Sequence, residues 1–221
     1  MNYIIYNSNE KLSNKIIDII QDNSNKQTIE FFKDYTQELK EFIHKNNKKQ
    51  VYILNIDTKK DIYAINIAKE IRKNDWTSII IFTTNNESII NSIAKQRLMF
   101  FSIVSTFDNF EENFNYCIED IETIFNIESS KEILYIFSKN KFTFIVTKSE
   151  MKKTRASAYY IANNYNLIQT HKSYYINLAN VKSIDFEHNT VIFNNNKSIH
   201  CISARLKSKI KREFSLYKHN I

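Results

Sequence analysis

Glycine and proline are both absent from all 221 residues of this chain. Average usage near 7% and 5% would supply roughly 26 of them. Every backbone position that needs a positive φ must therefore be filled by a residue that carries a Cβ, and asparagine tolerates the left-handed region best. The asparagine clusters Asn46–Asn47, Asn85–Asn86, Asn163–Asn164 and Asn194–Asn195–Asn196 are accordingly expected to punctuate the turns.

The length favours two domains of about 100 residues each over one large one. Hydrophobic residues at 43% and aromatics at 14% are enough for two cores, and no apolar run reaches the roughly 18 residues of a membrane span. The opening MNYIIYNSNEK lacks the basic start, apolar stretch and small-residue cleavage site of a signal peptide, so the chain is expected to stay in the cytosol. Cys117 and Cys201 stand far apart without metal-ligand spacing. That fits a reducing compartment and argues against a disulfide framework or a metal site. No cofactor is implied.

Charge divides the chain. Up to Phe125 there are 15 Lys and Arg against 18 Asp and Glu; beyond it the counts are 16 and 6, so the halves carry −3 and +10. A basic half of this size is the electrostatic footprint of a polyanion-binding domain, although a solvated basic face with no ligand has the same composition.

In the first half, the short apolar runs NYIIY (2–6), TIEFF (28–32), VYILNI (51–56), SIIIFTT (78–84) and FFSIV (100–104) alternate with stretches of helical period, the last through Phe110, Phe114, Cys117, Ile118 and Ile121. Five such units predict an α/β domain over 1–125: a five-stranded parallel sheet covered by helices, with useful residues at the carboxyl ends of the strands. The second half, 126–221, reads as a small β-rich domain with strands at ILYIF, KFTFIVTK, SYYINL, VKSIDF and TVIFNN, a helix within 155–164, and a basic tail, ARLKSKIKREF. The linker is expected around Asn126 to Lys131. Within this half THKSYYIN (170–177) reads as a strand with a polar start.

EILYIFSKNK, TRASAYYI, NLIQTHKSYYINLANVKSI and ISARLKSKIKRE stand in the order and near the spacing of the LytTR DNA-binding domain, which the second half resembles. The first half resembles the flavodoxin-like (βα)5 receiver domain of response regulators. Together the chain resembles an Agr-type LytTR response regulator, and the resemblance covers nearly its whole length. It implies a non-enzymatic transcription regulator acting on promoter direct repeats in double-stranded DNA as a homodimer, with no membrane partner. A second possibility is a pseudo-receiver that pairs with a partner regulator.

The receiver resemblance is one of architecture. Where the family places its acidic metal cluster this chain has Asn7, Ser8 and Asn9; the phosphoacceptor position holds Asn55, the hydroxyl position Thr84 and the lysine position Ser105. Only Thr84 conforms. Amides neither accept phosphorus readily nor hold a hard cation such as Mg²⁺. Asp57, two residues on, either substitutes as acceptor or simply begins the following loop. Phe100, Phe101, Phe110 and Phe114 serve either a dimer surface or the core.

The LytTR resemblance makes the start of THKSYYIN a DNA-facing edge, with His171 and Lys172 outward and Ser173 beside them. It also places Lys139, Asn140 and Lys141 in a base-reading loop and Arg205 at the head of the basic tail. These residue types have the right chemistry, since lysine and the arginine fork donate to guanine O6 and N7 or to phosphate, and serine hydroxyls bind phosphate. Arg155, Lys207 and Lys209 are assigned to phosphates. Each also reads as ordinary surface charge. Gln169 and Thr170 stand where the family has a redox-sensitive cysteine, which is therefore not carried over.

Overall fold

A computed structural model describes residues 1–23, 27–34, 36–45, 49–57, 61–95, 98–125, 127 and 130–219. Contacts divide the chain into two compact units, Met1–Glu119 and Asp120–Ile221. The expected turn at Asn46–Asn47 lies outside the described residues, as do Asn126, Glu128 and Ser129 of the expected linker.

The first unit alternates strand and helix: β1 (Asn2–Tyr6), α1 (Glu10–Asn23), β2 (Thr28–Phe32), α2 (Gln37–Lys45), β3 (Val51–Asn55), α3 (Asp61–Asn74), β4 (Ile79–Thr84), α4 (Glu87–Lys95), β5 (Ser102–Ser105) and α5 (Phe110–Phe125), whose last residues belong to the second unit. The strands pair in parallel in the order β2-β1-β3-β4-β5. Every residue of β3 and β4 is buried, which is why they read as unbroken apolar runs. One face packs Ile4, Tyr6, Leu54, Ile80 and Phe82 against Leu39 and Ile43 of α2 and Ala64, Ile67, Ala68 and Ile71 of α3. A salt bridge from Lys15 to Glu111 at 2.8 Å links α1 to α5. Phe110 and Phe114 are 4% and 0% exposed and Phe100 packs against the core; these rings are structural. At the opposite end of the sheet the buried Arg72 guanidinium donates to the carbonyls of Met99 (2.7 Å), Asp75 (2.9 Å) and Ser78 (2.9 Å). Those bonds supply the partners that a buried cation requires.

The second unit holds β6 (Ile133–Lys139), β7 (Phe142–Thr147), β8 (Met151–Thr154), α6 (Ala158–Asn164), β9 (Ile168–His171), β10 (Tyr174–Ile176), β11 (Val181–Asp185), β12 (Thr190–Phe193), β13 (Ser198–His200) and α7 (Lys207–His219). Two antiparallel sheets form, β8-β7-β6-β10-β9 and β11-β12-β13. Leu134, Ile176, Val181, Val191, Phe193, Cys201 and Ile202 make their shared core, which Ile210 of α7 also enters. The Asn180 amide donates to the carbonyls of Lys131 (2.8 Å) and Ile133 (2.7 Å), anchoring the start of β6. Among the described residues no helix is long and apolar enough to cross a membrane.

One sequence expectation needs correcting. THKSYYIN is not one strand: β9 ends at His171, Lys172 and Ser173 turn, and β10 begins at Tyr174. The basic tail, given no conformation from sequence, is a short 3-10 turn, Ala204–Leu206, continuing into α7.

Positive φ angles fall at Asn109, Asn140, Asn166, Asn189, Asn196 and Lys141. Asparagine does replace glycine, but of the expected clusters within the described residues only the last contributes. Asn163 and Asn164 close α6, and the Asn86 side chain instead accepts from the Ser88 N–H (3.0 Å) and hydroxyl (2.7 Å) at the start of α4.

Candidate nucleic-acid interface

The β6–β7 connection is two residues long, with Asn140 at φ 51° and Lys141 at φ 65°. Positive φ at both positions defines a type I′ turn, whose twist matches that of its strands. The turn presents Lys139, Asn140 and Lys141 exposed. A Cβ-bearing residue in this conformation costs about 1–2 kcal/mol, which Lys141 bears without asparagine's local hydrogen-bonding relief.

The β9–β10 turn lies directly beside it. The Ser138 N–H donates to the Ser173 carbonyl at 2.9 Å, and Phe137 stands opposite Tyr174 in register. His171 is half-buried: its Nδ1 accepts the Ser173 N–H at 3.3 Å, and its ring meets the edge of Tyr174. Lys172 is therefore the side chain the turn exposes, while His171 shapes it.

The outer strands extend the row in both directions. Beyond β7, Thr143 pairs with Thr154 of β8, and Arg155 follows with its guanidinium 5.8 Å from the Phe142 ring. The Asp120 carboxylate fixes this corner by accepting the Thr154 hydroxyl (2.8 Å) and the Arg155 N–H (3.0 Å). Beyond β9, the Ser203 N–H donates to the Thr170 carbonyl at 2.9 Å, bringing the exposed Arg205 alongside. Lys207 and Lys209 open α7, Lys207 half-buried and Lys209 exposed. The fold thus gathers at one sheet end the segments 139–141, 155, 171–173 and 205, which are scattered in sequence.

None of the five strands of this sheet, nor the two turns at this end, contains an Asp or Glu; the β7–β8 turn at the other end carries Glu150, paired with Lys152 at 3.1 Å. Sequence reading missed Lys153, whose ammonium sits 3.8 Å from the centre of the Phe142 ring. MKKT carries no apolar–polar alternation, so no local pattern signals β8 or Lys153 on it. Cys201 is 3% exposed and accepts the Thr170 hydroxyl at 3.6 Å; burial pushes its thiol up to about 11. It stays protonated near neutral pH, so it is not a reactive thiolate.

In the first unit most residues matched to the receiver pocket are engaged in hydrogen bonds to one another or to neighbouring groups, while the buried Asn7 Nδ2 has no partner among the described residues. Asn7 Oδ1 accepts the Asn9 N–H at 2.9 Å, and Asn9 Oδ1 accepts the Leu12 N–H at 3.1 Å. Asn55 Nδ2 donates to Asp57 Oδ2 (3.0 Å) and to the Thr83 hydroxyl (3.1 Å). Asp57 lies beyond the end of β3; its Oδ1 accepts the Asn85 N–H, and its Oδ2 also accepts the Thr106 hydroxyl at 3.3 Å. Thr84 donates to the Ile56 carbonyl at 3.1 Å, Ser8 is half-buried, and Ser105 Oγ accepts the Phe107 N–H at 3.3 Å. A hard divalent ion wants several oxygen ligands, carboxylates foremost. Three amides and hydroxyls plus one carboxylate already hydrogen-bonded through both oxygens do not fit it. Among the described residues no group of three His, Cys, Asp or Glu side chains is placed to hold a metal ion.

The family model described as the LytTr DNA-binding domain matches residues 122–215, all of them within the second unit. No curated protein matches the chain. Among solved structures, similarity extends to the LytTr DNA-binding domain of a methyl-accepting/DNA response regulator from Bacillus cereus, at 19% identity over 38% of this chain and 81% of that one, with a TM-score of 0.33. The Thermotoga maritima response regulator DrrB, an OmpR/PhoB homolog, matches at 11% identity over 68% of this chain and 64% of its own, TM-score 0.43. The response regulator domain of Thermotoga maritima CheB matches at 17% identity over 57% and 97%, TM-score 0.44.

Proposed function

We propose, from the premise that residues 122–215 form a LytTr-type DNA-binding domain, that this chain is a cytoplasmic, sequence-specific transcription regulator whose receiver-like first unit works without phosphorylation. The observation that carries the reading is the row at one end of the β8-β7-β6-β10-β9 sheet. Two turns, neither carrying an Asp or Glu, are joined by the Ser138–Ser173 hydrogen bond and flanked by Arg155 and Arg205, with the Asp120 carboxylate bonded to Thr154 and the Arg155 backbone at one corner. Such a row offers neutral and cationic donors in a line to a duplex. Lys139, Asn140, Lys141, Lys172 and Arg205 are suited to base edges, and Ser173, Arg155, Lys207 and Lys209 to phosphates. His171 holds the second turn in shape.

The pocket residues of the first unit support the second half of the reading. With Asn55 at the acceptor position, Asn7, Ser8 and Asn9 at the metal positions, Thr84 bonded to a carbonyl and Ser105 in place of the lysine, neither acceptor nor activating charge remains. The unit then acts as a dimerisation module, placing two DNA-binding units on paired direct repeats, where a shared effective concentration strengthens binding.

A gel shift of the full chain against promoter fragments at two salt concentrations tests this. A discrete complex that outlives excess scrambled duplex is expected, with affinity falling steeply as salt rises. Equal competition by scrambled and promoter DNA would leave only an electrostatic clamp, and no complex at low salt would favour the protein-interaction alternative.

A further inference from the structure

One face of the five-stranded sheet carries a run of aromatic rings that the row at the sheet end does not use. Phe144, Phe137 and Tyr174 are cross-strand neighbours. Phe137 stacks on Phe144 at 4.9 Å with 12° between planes, and on Tyr174 at 5.7 Å and 19°. Tyr174 and Tyr135 pack against the core between the two sheets, Tyr135 stacking on Phe193 at 5.5 Å. The other half of the face lies over β6, β7 and β8. There Phe137, Phe142 and Phe144 keep part of their rings in solvent, Met151 is 60% exposed, and Lys153 is exposed.

Cross-strand aromatic pairs stabilise a sheet by about 0.2–1 kcal/mol each, and that alone would account for the ladder. It does not account for the company the rings keep. Lys153 stands opposite Phe144 in register with its ammonium 3.8 Å from the Phe142 ring centre, and Arg155 approaches the same ring at 5.8 Å. Lys139 pairs with Phe142 across the hairpin. No carboxylate lies on any strand of the sheet. A face meant for an apolar protein partner gains nothing from lysines set between its rings. Aromatic rings on central strands interleaved with cations match instead a polyanion that also has π faces to offer. A duplex keeps its bases stacked within; only an unpaired strand offers them.

We propose that the face formed by Phe137, Phe142, Phe144, Met151 and Lys153 is a stacking site for the bases of a single-stranded nucleic acid. Lys139, Lys153 and Arg155 take its phosphates. The site rests on the proposed function only where it shares Lys139 and Arg155 with the duplex-reading row; the rings that carry base stacking take no part in the row, so the two are tested separately.

The test uses the full chain and fluorescence anisotropy with three probes: a labelled oligothymidylate, an abasic oligonucleotide with the same number of phosphates, and a duplex. Base stacking predicts roughly tenfold or tighter binding to the oligothymidylate over the abasic strand. Phe144→Leu should abolish that preference and Phe144→Tyr keep it, while both leave duplex affinity within about twofold. Equal affinity of the unaltered chain for the base-bearing and abasic strands overturns the proposal and needs no variant to interpret. So does a preference that survives Phe144→Leu, or failure of both strands to bind, which would assign the face to a protein partner. Absence of duplex binding with base preference intact would count against duplex recognition by the row and not against base stacking on the face.

Discussion

The backbone N–H of Ser138 and the carbonyl of Ser173 lie 2.9 Å apart in a hydrogen bond. It makes one rigid edge of two hairpin turns separated by more than thirty positions in sequence. Substitutions in either turn should therefore alter DNA recognition through the exposed side chains and not through loop mobility.

Lys141 tests this most directly. Replacing it with glycine removes the Cβ that disfavours φ 65°, partly offset by the extra freedom glycine gives the unfolded chain. Lys141→Gly should raise stability by about 0.5–1 kcal/mol in urea denaturation and weaken DNA binding. Asn140→Gly should change stability less, because asparagine already tolerates the region. A Lys141→Gly chain that is less stable would contradict the turn assignment.

Arg205 and Lys207 should fail in different ways. Arg205→Ala is expected to cost about 1–3 kcal/mol on the specific site and to flatten preference at one base pair, with little change on random DNA. Lys207→Ala should weaken both duplexes alike and reduce the slope of log K against log salt by about one. Isotherms at several salt concentrations separate the two, and identical profiles would remove Arg205 from the base-reading set.

Acetyl phosphate should not label the chain. Asp57, two residues beyond the acceptor position, accepts hydrogen bonds from Asn55, Asn85 and Thr106, and among the described residues no metal-holding cluster accompanies it. Asn55→Asp alone should not restore labelling, because Asn7, Ser8 and Asn9 still offer no carboxylate. Radiolabel on the unaltered chain that vanishes in Asp57→Ala would show the pocket to be active.

Acid should loosen the first unit through Asp75. Burial pushes its carboxyl up, but hydrogen bonds from Ser78 and Thr77 outweigh that and hold it below the usual 3.8. A carboxyl lowered in the folded state contributes stability fully present above the unfolded value, and lost as pH falls through the folded one. Melting temperatures of the unaltered chain and Asp75→Asn should differ most above the ordinary carboxyl value and converge as pH falls through the lowered folded one; a gap that stays constant as pH falls would mean that the carboxylate's charge is not involved.

The strand–helix units were legible because the central strands β3 and β4, buried on both faces, must be apolar throughout, and the helices carry one apolar stripe. The second unit was harder. Its strands β8, β9 and β13 read MKKT, IQTH and SIH, short and polar, and are strands because a neighbour pairs with them. THKSYYIN concealed a turn because Lys172–Ser173 carries no Asn signal, and the ladder shifts register between Tyr174 and Tyr175. Family resemblance nominates the site residues one by one; their adjacency rests on the bonds Ser138–Ser173 and Ser203–Thr170, which no local pattern announces. Lys153 was lost with its strand.

Asp120 decides where this protein can be dissected. It sits in the last turns of α5, yet its carboxylate holds Thr154 and Arg155, and four residues later the Ile124 carbonyl accepts the Tyr165 hydroxyl at 2.8 Å. A carboxyl-terminal fragment starting at residue 126 would lose these acceptors and release the Arg155 corner. One starting at Asn109, whose carbonyl receives the Asn113 N–H at 2.9 Å as α5 begins, would keep the helix whole, and any comparison of isolated DNA-binding fragments with the full chain should begin there.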